Sequence, residues 1–183
     1  IRDRYDGVHD DADRGVAVYH AFLASWLHLI REYNCPAFFI FNERWISEVE
    51  AVIRKLDIKI VQRCWWYWTF GQNNTNRYTP CMRPIYWLNN DTIYPDQIRV
   101  PSKRQVLYKD KRANPKGRLP DTFWGHGDDY GMLTVWNESR VCGTYKERIR
   151  WHDNQVSREI YRRIIRGHSR PGDTVLDPFI GSG

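Results

Sequence analysis

The sequence lacks several features that would each have pointed to a different class of protein. No apolar run approaches the ~20 residues that a membrane-spanning helix needs, and no signal-peptide pattern heads the chain. Four cysteines, Cys35, Cys64, Cys81 and Cys142, are scattered without a C-x-x-C pair, which argues for free thiols in a reducing compartment over disulfides or zinc. No His/Cys cluster has metal-ligand spacing, so no metal is expected. No Ser/His/Asp set is suggested by position, and the dinucleotide fingerprint G-x-G-x-x-G is missing, which disfavours NAD. These absences lead to the expectation of a cytoplasmic protein away from membranes.

What is present supports a folded domain. At 183 residues, with 42% hydrophobic side chains, the chain is long enough for a real core. Nine Trp and eleven Tyr are expected mostly in the core, with some free to stack on bases. Charge is concentrated. Residues 99–118 carry eight basic side chains against Asp110 alone, a net +7 where the whole chain is +6. A basic stretch with tyrosines and prolines interleaved is the electrostatic footprint of phosphate-backbone contact, against the blander alternative of a solvated loop.

Periodicity gives the elements. Tyr19, Phe22, Leu23, Trp26, Ile30 and Tyr33 recur at three- and four-residue spacing and predict an amphipathic helix that Asn34 and Pro36 end. Residues 37–41 are continuously apolar, as in a strand buried on both faces of a parallel sheet. Asn42 is a candidate N-cap, with Ile46, Val49, Ile53 and Leu56 as the next helical stripe. Residues 58–70 and 85–88 read as strands, and the last strands as an antiparallel pair. From residue 89 to about 142 periodicity is lost, and prolines argue for a long irregular insertion. A helix then follows, with Asn154 as candidate N-cap and Gly167 as candidate C-cap.

Residues 173–183 read Asp-Thr-Val-Leu-Asp-Pro-Phe-Ile-Gly-Ser-Gly. A Pro171-Gly172 turn leads into a short buried strand at Thr174, Val175 and Leu176. Asp177 closes it, Pro178 stops it, and Gly181 and Gly183 allow a tight loop that a ligand can approach. In open α/β sheets ligands sit beyond the carboxyl ends of such strands.

This string resembles the S-adenosylmethionine-binding motif of DNA amino-methyltransferases, which methylate the exocyclic nitrogen of adenine or cytosine. Tyr78-Thr79-Pro80, Tyr108-Lys109-Asp110-Lys111-Arg112, Gly117-Arg118-Leu119-Pro120-Asp121 and Trp124 are similar to the segment that in this family contributes to DNA binding and target choice. Arg140 to Arg148, then Trp151-His152, are similar to the stretch entering the cofactor helix. There the family commonly has His-Pro-x-Gln-Lys-Pro; His152 and Gln155 match, while both prolines and the lysine are missing. Pro80-Cys81 invites comparison with the Pro-Cys nucleophile of cytosine carbon-5 enzymes, but its position far ahead of the cofactor loop makes Cys81 structural.

The resemblance implies an α/β fold, a three-layer α/β/α Rossmann-like methyltransferase domain, incomplete at both ends. Residues 1–88 would be the catalytic-side half, 89–142 the basic target-recognition insertion, and 143–183 the cofactor-binding helix, strand and loop. S-adenosylmethionine would be held by Asp177, Pro178, Phe179, Gly181, Ser182 and Gly183, with His152 and Gln155. Double-stranded DNA would be held by Arg77, Arg104, Lys109, Lys111, Arg112, Lys116 and Arg118. The family's Asp-Pro-Pro-Tyr type tetrapeptide does not occur between Ile1 and Gly183, so the catalytic acceptors are expected upstream of Ile1 and the 183-residue piece alone is expected to be inactive. A restriction endonuclease is a candidate partner. A DNA-binding relative without catalysis, and an RNA methyltransferase, are the competing expectations.

Overall fold

The structure, a computed structural model, describes residues 15–68, 75–76, 78–124, 140–142, 145–152 and 154–181. Its organising element is a four-stranded sheet in the order β1-β3-β2-β4. These strands are β1 (Pro36–Ile40), β2 (Ile60–Tyr67), β3 (Met82–Asn89) and β4 (Phe123–Trp124). β3 pairs antiparallel with both β1 and β2, and β4 lies parallel to β2. The expected antiparallel pairing of the late strands is present. The parallel setting expected for β1 is not: its partner is the reversed β3, and among the described residues β1 is an edge strand whose residues are only half-buried. A continuous apolar run is consistent with burial but does not report strand direction.

Two cores lie on the two faces of the sheet, following the period-2 alternation of strands. On one face Tyr86 and Leu88 of β3 meet α1 (Val16–Tyr33) and α2 (Ile46–Lys55) through Leu23, Leu27, Val49, Val52 and Ile53. On the other, Ile85, Cys64, Trp66 and Trp68 meet Ile160 of α4 (Arg158–His168). The result is the three-layer α/β/α arrangement expected. The buried seam of α1 is Leu23 and Leu27, whereas Phe22 and Tyr33 of the expected stripe are 40% and 69% exposed. Between the sheet and α2, Glu50 accepts hydrogen bonds from Tyr86 Oη at 2.7 Å and Arg63 Nε at 2.8 Å.

Several local expectations are revised. Asn34 ends α1 in the left-handed conformation as expected, and Asn42 caps a short 3₁₀ turn (Glu43–Trp45) that leads into α2. Ser157, not Asn154, caps α4, its hydroxyl accepting from Glu159 N. Gly167 is not a C-cap: it lies inside the last turn, where a Cβ would sit 3.3 Å from Ile98 Cδ1. Its missing side chain lets α4 close onto residues 94–98, and its carbonyl accepts from Tyr94 N at 2.7 Å.

The basic stretch contains short local elements rather than long regular ones. α3 (Lys103–Val106) begins with a reciprocal capping box between Ser102 and Gln105, and Val100 and Arg118 exchange both backbone hydrogen bonds at 2.9 Å. Side-chain clamps replace hydrophobic periodicity here, and so a periodicity search passes over them. Among the described residues no helix is long and apolar enough to cross a membrane.

Candidate functional site

Residues 174–176 are not a buried strand. They have no regular secondary structure and pair with nothing among the described residues, and Val175 and Leu176 are 55% and 76% exposed. The strand pattern is sound as sequence, but a strand needs a neighbour to supply its hydrogen bonds, and among the described residues none stands beside it. The turn before it does form, with Gly172 at φ +96°.

Beyond it the loop is closely determined. Asp177 Oδ1 accepts from Phe179 N at 2.9 Å, so the carboxylate shapes the turn through which the chain reverses. Pro178 is exposed. Phe179 folds back on α1, its ring 5.9 Å from Phe22 and 5.2 Å from Trp26. Gly181 adopts φ +63°, and a Cβ there would lie 2.8 Å from His152 Nε2. Two residues far apart in sequence, both expected at one ligand, therefore touch across a gap that only glycine leaves open. Asp177 also lies near Tyr161 of α4, whose hydroxyl is pushed up mainly by burial and secondarily by that carboxylate. Ser182 and Gly183 lie outside the described residues.

Gln155 is spent locally. Its Oε1 accepts from Ile149 N and its Nε2 donates to Glu147 O, each at 2.8 Å, so it fixes the turn from which His152 projects. The same turn borders a small polar cavity at the carboxyl end of β2, lined by Trp66, Trp68, Arg83, Arg140, Val141, Asn154 and Gln155. The Arg140 guanidinium lies 5.5 Å from the Trp68 ring. Burial first, and the like charge of Arg140 second, press the Arg83 guanidinium below its ordinary value, with Glu43 opposing.

The basic stretch separates into clamped and open cations. Asp110 accepts from both Arg104 and Arg112, with Arg112 the larger influence holding its carboxyl down at about 2. Asp96 holds Lys116 and Arg99, and Asp121 holds Arg118 bidentately. Lys109 and Lys111 make no ion pair among the described residues, and Tyr108 beside them is 74% exposed. Arg77 lies outside the described residues. Carboxylates thus hold most of these cations, while two lysines and a tyrosine are exposed.

Sequence reasoning misses Arg83 and Arg140 when it weighs charge over residues 99–118 only. Residues 140–170 hold nine basic side chains against three acidic ones, a second accumulation that draws attention to Arg140. Arg83, isolated within a strand, gives no such signal. Among the described residues no group of His, Cys, Asp and Glu could hold a metal ion.

Comparison with known proteins gives a consistent result. The DNA methylase family (N6_N4_Mtase) matches residues 5–183. The type II methyltransferase M.HpaI of Haemophilus parainfluenzae is 26% identical over 170 residues, 90% of this chain and 48% of the relative. The type II methyltransferase M1.MboII of Moraxella bovis is 34% identical over 106 residues, 51% of this chain and 38% of the relative. The chain thus spans about half the length, or less, of these curated relatives. Among solved structures, a crystal structure of an M1.HpyAVI-SAM complex superposes with TM-score 0.51 at 18% identity, covering 88% of this chain and 67% of that one. That likeness shows the shared α/β fold.

Proposed function

This chain belongs to the DNA methylase family, and on that footing we propose that the protein methylates an exocyclic amino group of adenine or cytosine in double-stranded DNA. S-adenosylmethionine is the methyl donor in this reading, supplying when bound an electrophilic methyl group on a sulfonium sulfur. The relatives named type II methyltransferases support the reaction class, and the fold neighbour's complex with SAM supports the cofactor.

The observation that carries the reading is the approach of Gly181 to His152. The residues fit a cofactor loop: a bare backbone in the left-handed region lies against an imidazole, after an Asp177 whose carboxylate orders the turn. Asp177, Pro178, Phe179 and Gly181, with Ser182 and Gly183, hold the cofactor. His152 forms one wall and Gln155 positions it. Phe179 rests on α1 through Phe22 and Trp26 and so holds the loop beside the helix. Residues 89–142 act as the target-recognition insertion between a catalytic-side part, residues 1–88, and the cofactor part, residues 143–183. Lys109 and Lys111 make outward phosphate contacts, and Arg104, Arg112, Lys116 and Arg118 hold the surface in shape while adding to its field.

In this reading the protein is a cytoplasmic enzyme acting on double-stranded DNA, with a restriction endonuclease as candidate partner. Calorimetric titration of the full-length protein with S-adenosylmethionine tests the assignment. Saturable binding that Asp177→Ala removes is expected; binding that survives both Asp177→Ala and Gly181→Val would place the cofactor elsewhere.

A further inference from the structure

The cavity at the end of β2 contains a charge pattern that the reading above does not use. Arg83 and Arg140 are both half-buried and both line it. Neither makes a hydrogen bond or ion pair among the described residues; the Arg140 guanidinium rests instead near the Trp68 ring. Trp68 is 6% exposed, and its Nε1 is buried without an acceptor among those residues. The lining includes no carboxylate. Glu43, outside the lining, acts favourably on Arg83 but less than the Arg140 charge acts against it, so two half-buried guanidiniums beside each other, with a donor left over, would be stabilised by an anion shared between them.

We propose that Arg83 and Arg140, walled by Trp66 and Trp68, form an oxyanion site that takes a backbone phosphate of the nucleic acid. Charge restricts the occupant. The amino-acid end of the cofactor is a zwitterion whose ammonium needs an acceptor as much as its carboxylate needs a donor. A lining with two arginines and no carboxylate suits a phosphodiester better, and planar guanidinium forks match phosphate oxygens. The site adjoins the cofactor loop through the turn that carries His152 and Gln155, so a phosphate held here would fix the strand beside the reacting pocket. This inference rests on the DNA reading for the source of the phosphate, but the oxyanion chemistry does not depend on it.

Two measurements on the full-length protein test the site. In the first, thermal unfolding is followed in inorganic phosphate and in chloride at matched ionic strength. A higher midpoint in phosphate is expected for the wild type, and none of that difference in Arg140→Gln; no difference in the wild type overturns the site. In the second, duplex DNA binding is followed by anisotropy against salt. Arg83→Gln or Arg140→Gln should weaken binding at least tenfold and flatten the log–log salt slope by about 0.9, the value for a single phosphate, while calorimetry shows unchanged S-adenosylmethionine affinity. Weakened cofactor binding with an unchanged slope would mean that the anion is the cofactor's carboxylate and would overturn the proposal. The phosphate-specific rise without DNA binding by the wild type would keep the oxyanion chemistry and sink the DNA reading. DNA binding whose slope responds to Lys109→Ala with Lys111→Ala, but not to either arginine, would do the reverse.

Discussion

Gly181 gives the sharpest perturbation. Its φ of +63° lies in the region that L side chains avoid, and a Cβ would meet His152 Nε2 at 2.8 Å and Cε1 at 3.0 Å. Both atoms are at the far end of a half-buried ring, so the imidazole can swing away, and the conformational term dominates for alanine. Holding an ordinary residue in the left-handed region costs about 1–2 kcal/mol, which corresponds to a roughly 5- to 30-fold loss of cofactor affinity. Valine is branched at the carbon that clashes, and Gly181→Val should take affinity below detection. The residue is exposed and outside both cores, so in the variant the free loop can relax locally; the cost then falls on restoring the left-handed turn when the cofactor binds, and the thermal midpoint should hardly move. Calorimetry of Gly181→Ala in the wild type and in His152→Ala separates the clash from the backbone: the penalty should shrink in the second background, leaving the conformational part. Wild-type affinity in Gly181→Val would refute the reasoning and remove the loop from the cofactor site.

The remaining predictions concern the surface, the sheet and pH. Replacing Lys109, Lys111 and Arg112 with alanine should weaken duplex binding on all sequences about equally and flatten the salt slope by about 0.9 for each phosphate no longer neutralised; weakening confined to one sequence would mean base reading instead. Tyr86→Phe removes a buried hydroxyl bonded to a carboxylate held low by Arg63 first and Tyr86 second, and should cost about 1.5–3 kcal/mol in denaturant unfolding. The Cys64 thiol and the Tyr86 hydroxyl are both pushed up to about 12, chiefly by burial. A group whose folded pKa is raised loses its stabilising contribution as pH climbs, so stability should be full below about pH 9 and fall towards pH 12; a flat alkaline profile would contradict the burial. Asp110, held down at about 2 by Arg112 and Arg104, has the opposite sign. Its contribution should be intact above its ordinary carboxylate range and disappear only as pH drops through about 2, read as late loss of the insertion's structure in acid.

Where the sequence was legible, a local rule and the tertiary structure agreed. Asn34 stops α1 because asparagine tolerates the left-handed turn that the chain needs there. The apolar runs that became β1, β2 and β3 are buried or half-buried in the sheet. Gly181 was recognisable as a place where something approaches, and the resemblance put His152 at the same ligand, but that the imidazole stands directly against the glycine is visible only in three dimensions. The failures have equally particular causes. Direction in β1 depends on which strand lies beside it, and Gly167 looks like a cap but makes room for Ile98, about seventy residues earlier in the chain. Residues 96–121 showed no periodicity because they are held by Asp96, Asp110 and Asp121 pairing with guanidinium and ammonium groups, a pattern with no period. Arg83 could not be found at all, since its significance lies in Arg140 standing across a cavity built from distant segments.

The central claim is that methyl groups pass from S-adenosylmethionine to amino nitrogens of duplex DNA. Incubating the full-length protein with methyl-labelled cofactor, DNA and RNA, then digesting to nucleosides and separating them, tests it most directly. The account predicts label in DNA as N6-methyladenine or N4-methylcytosine, abolished in Asp177→Ala. Label in RNA alone, label as 5-methylcytosine, or tight DNA binding without any transfer would each contradict it.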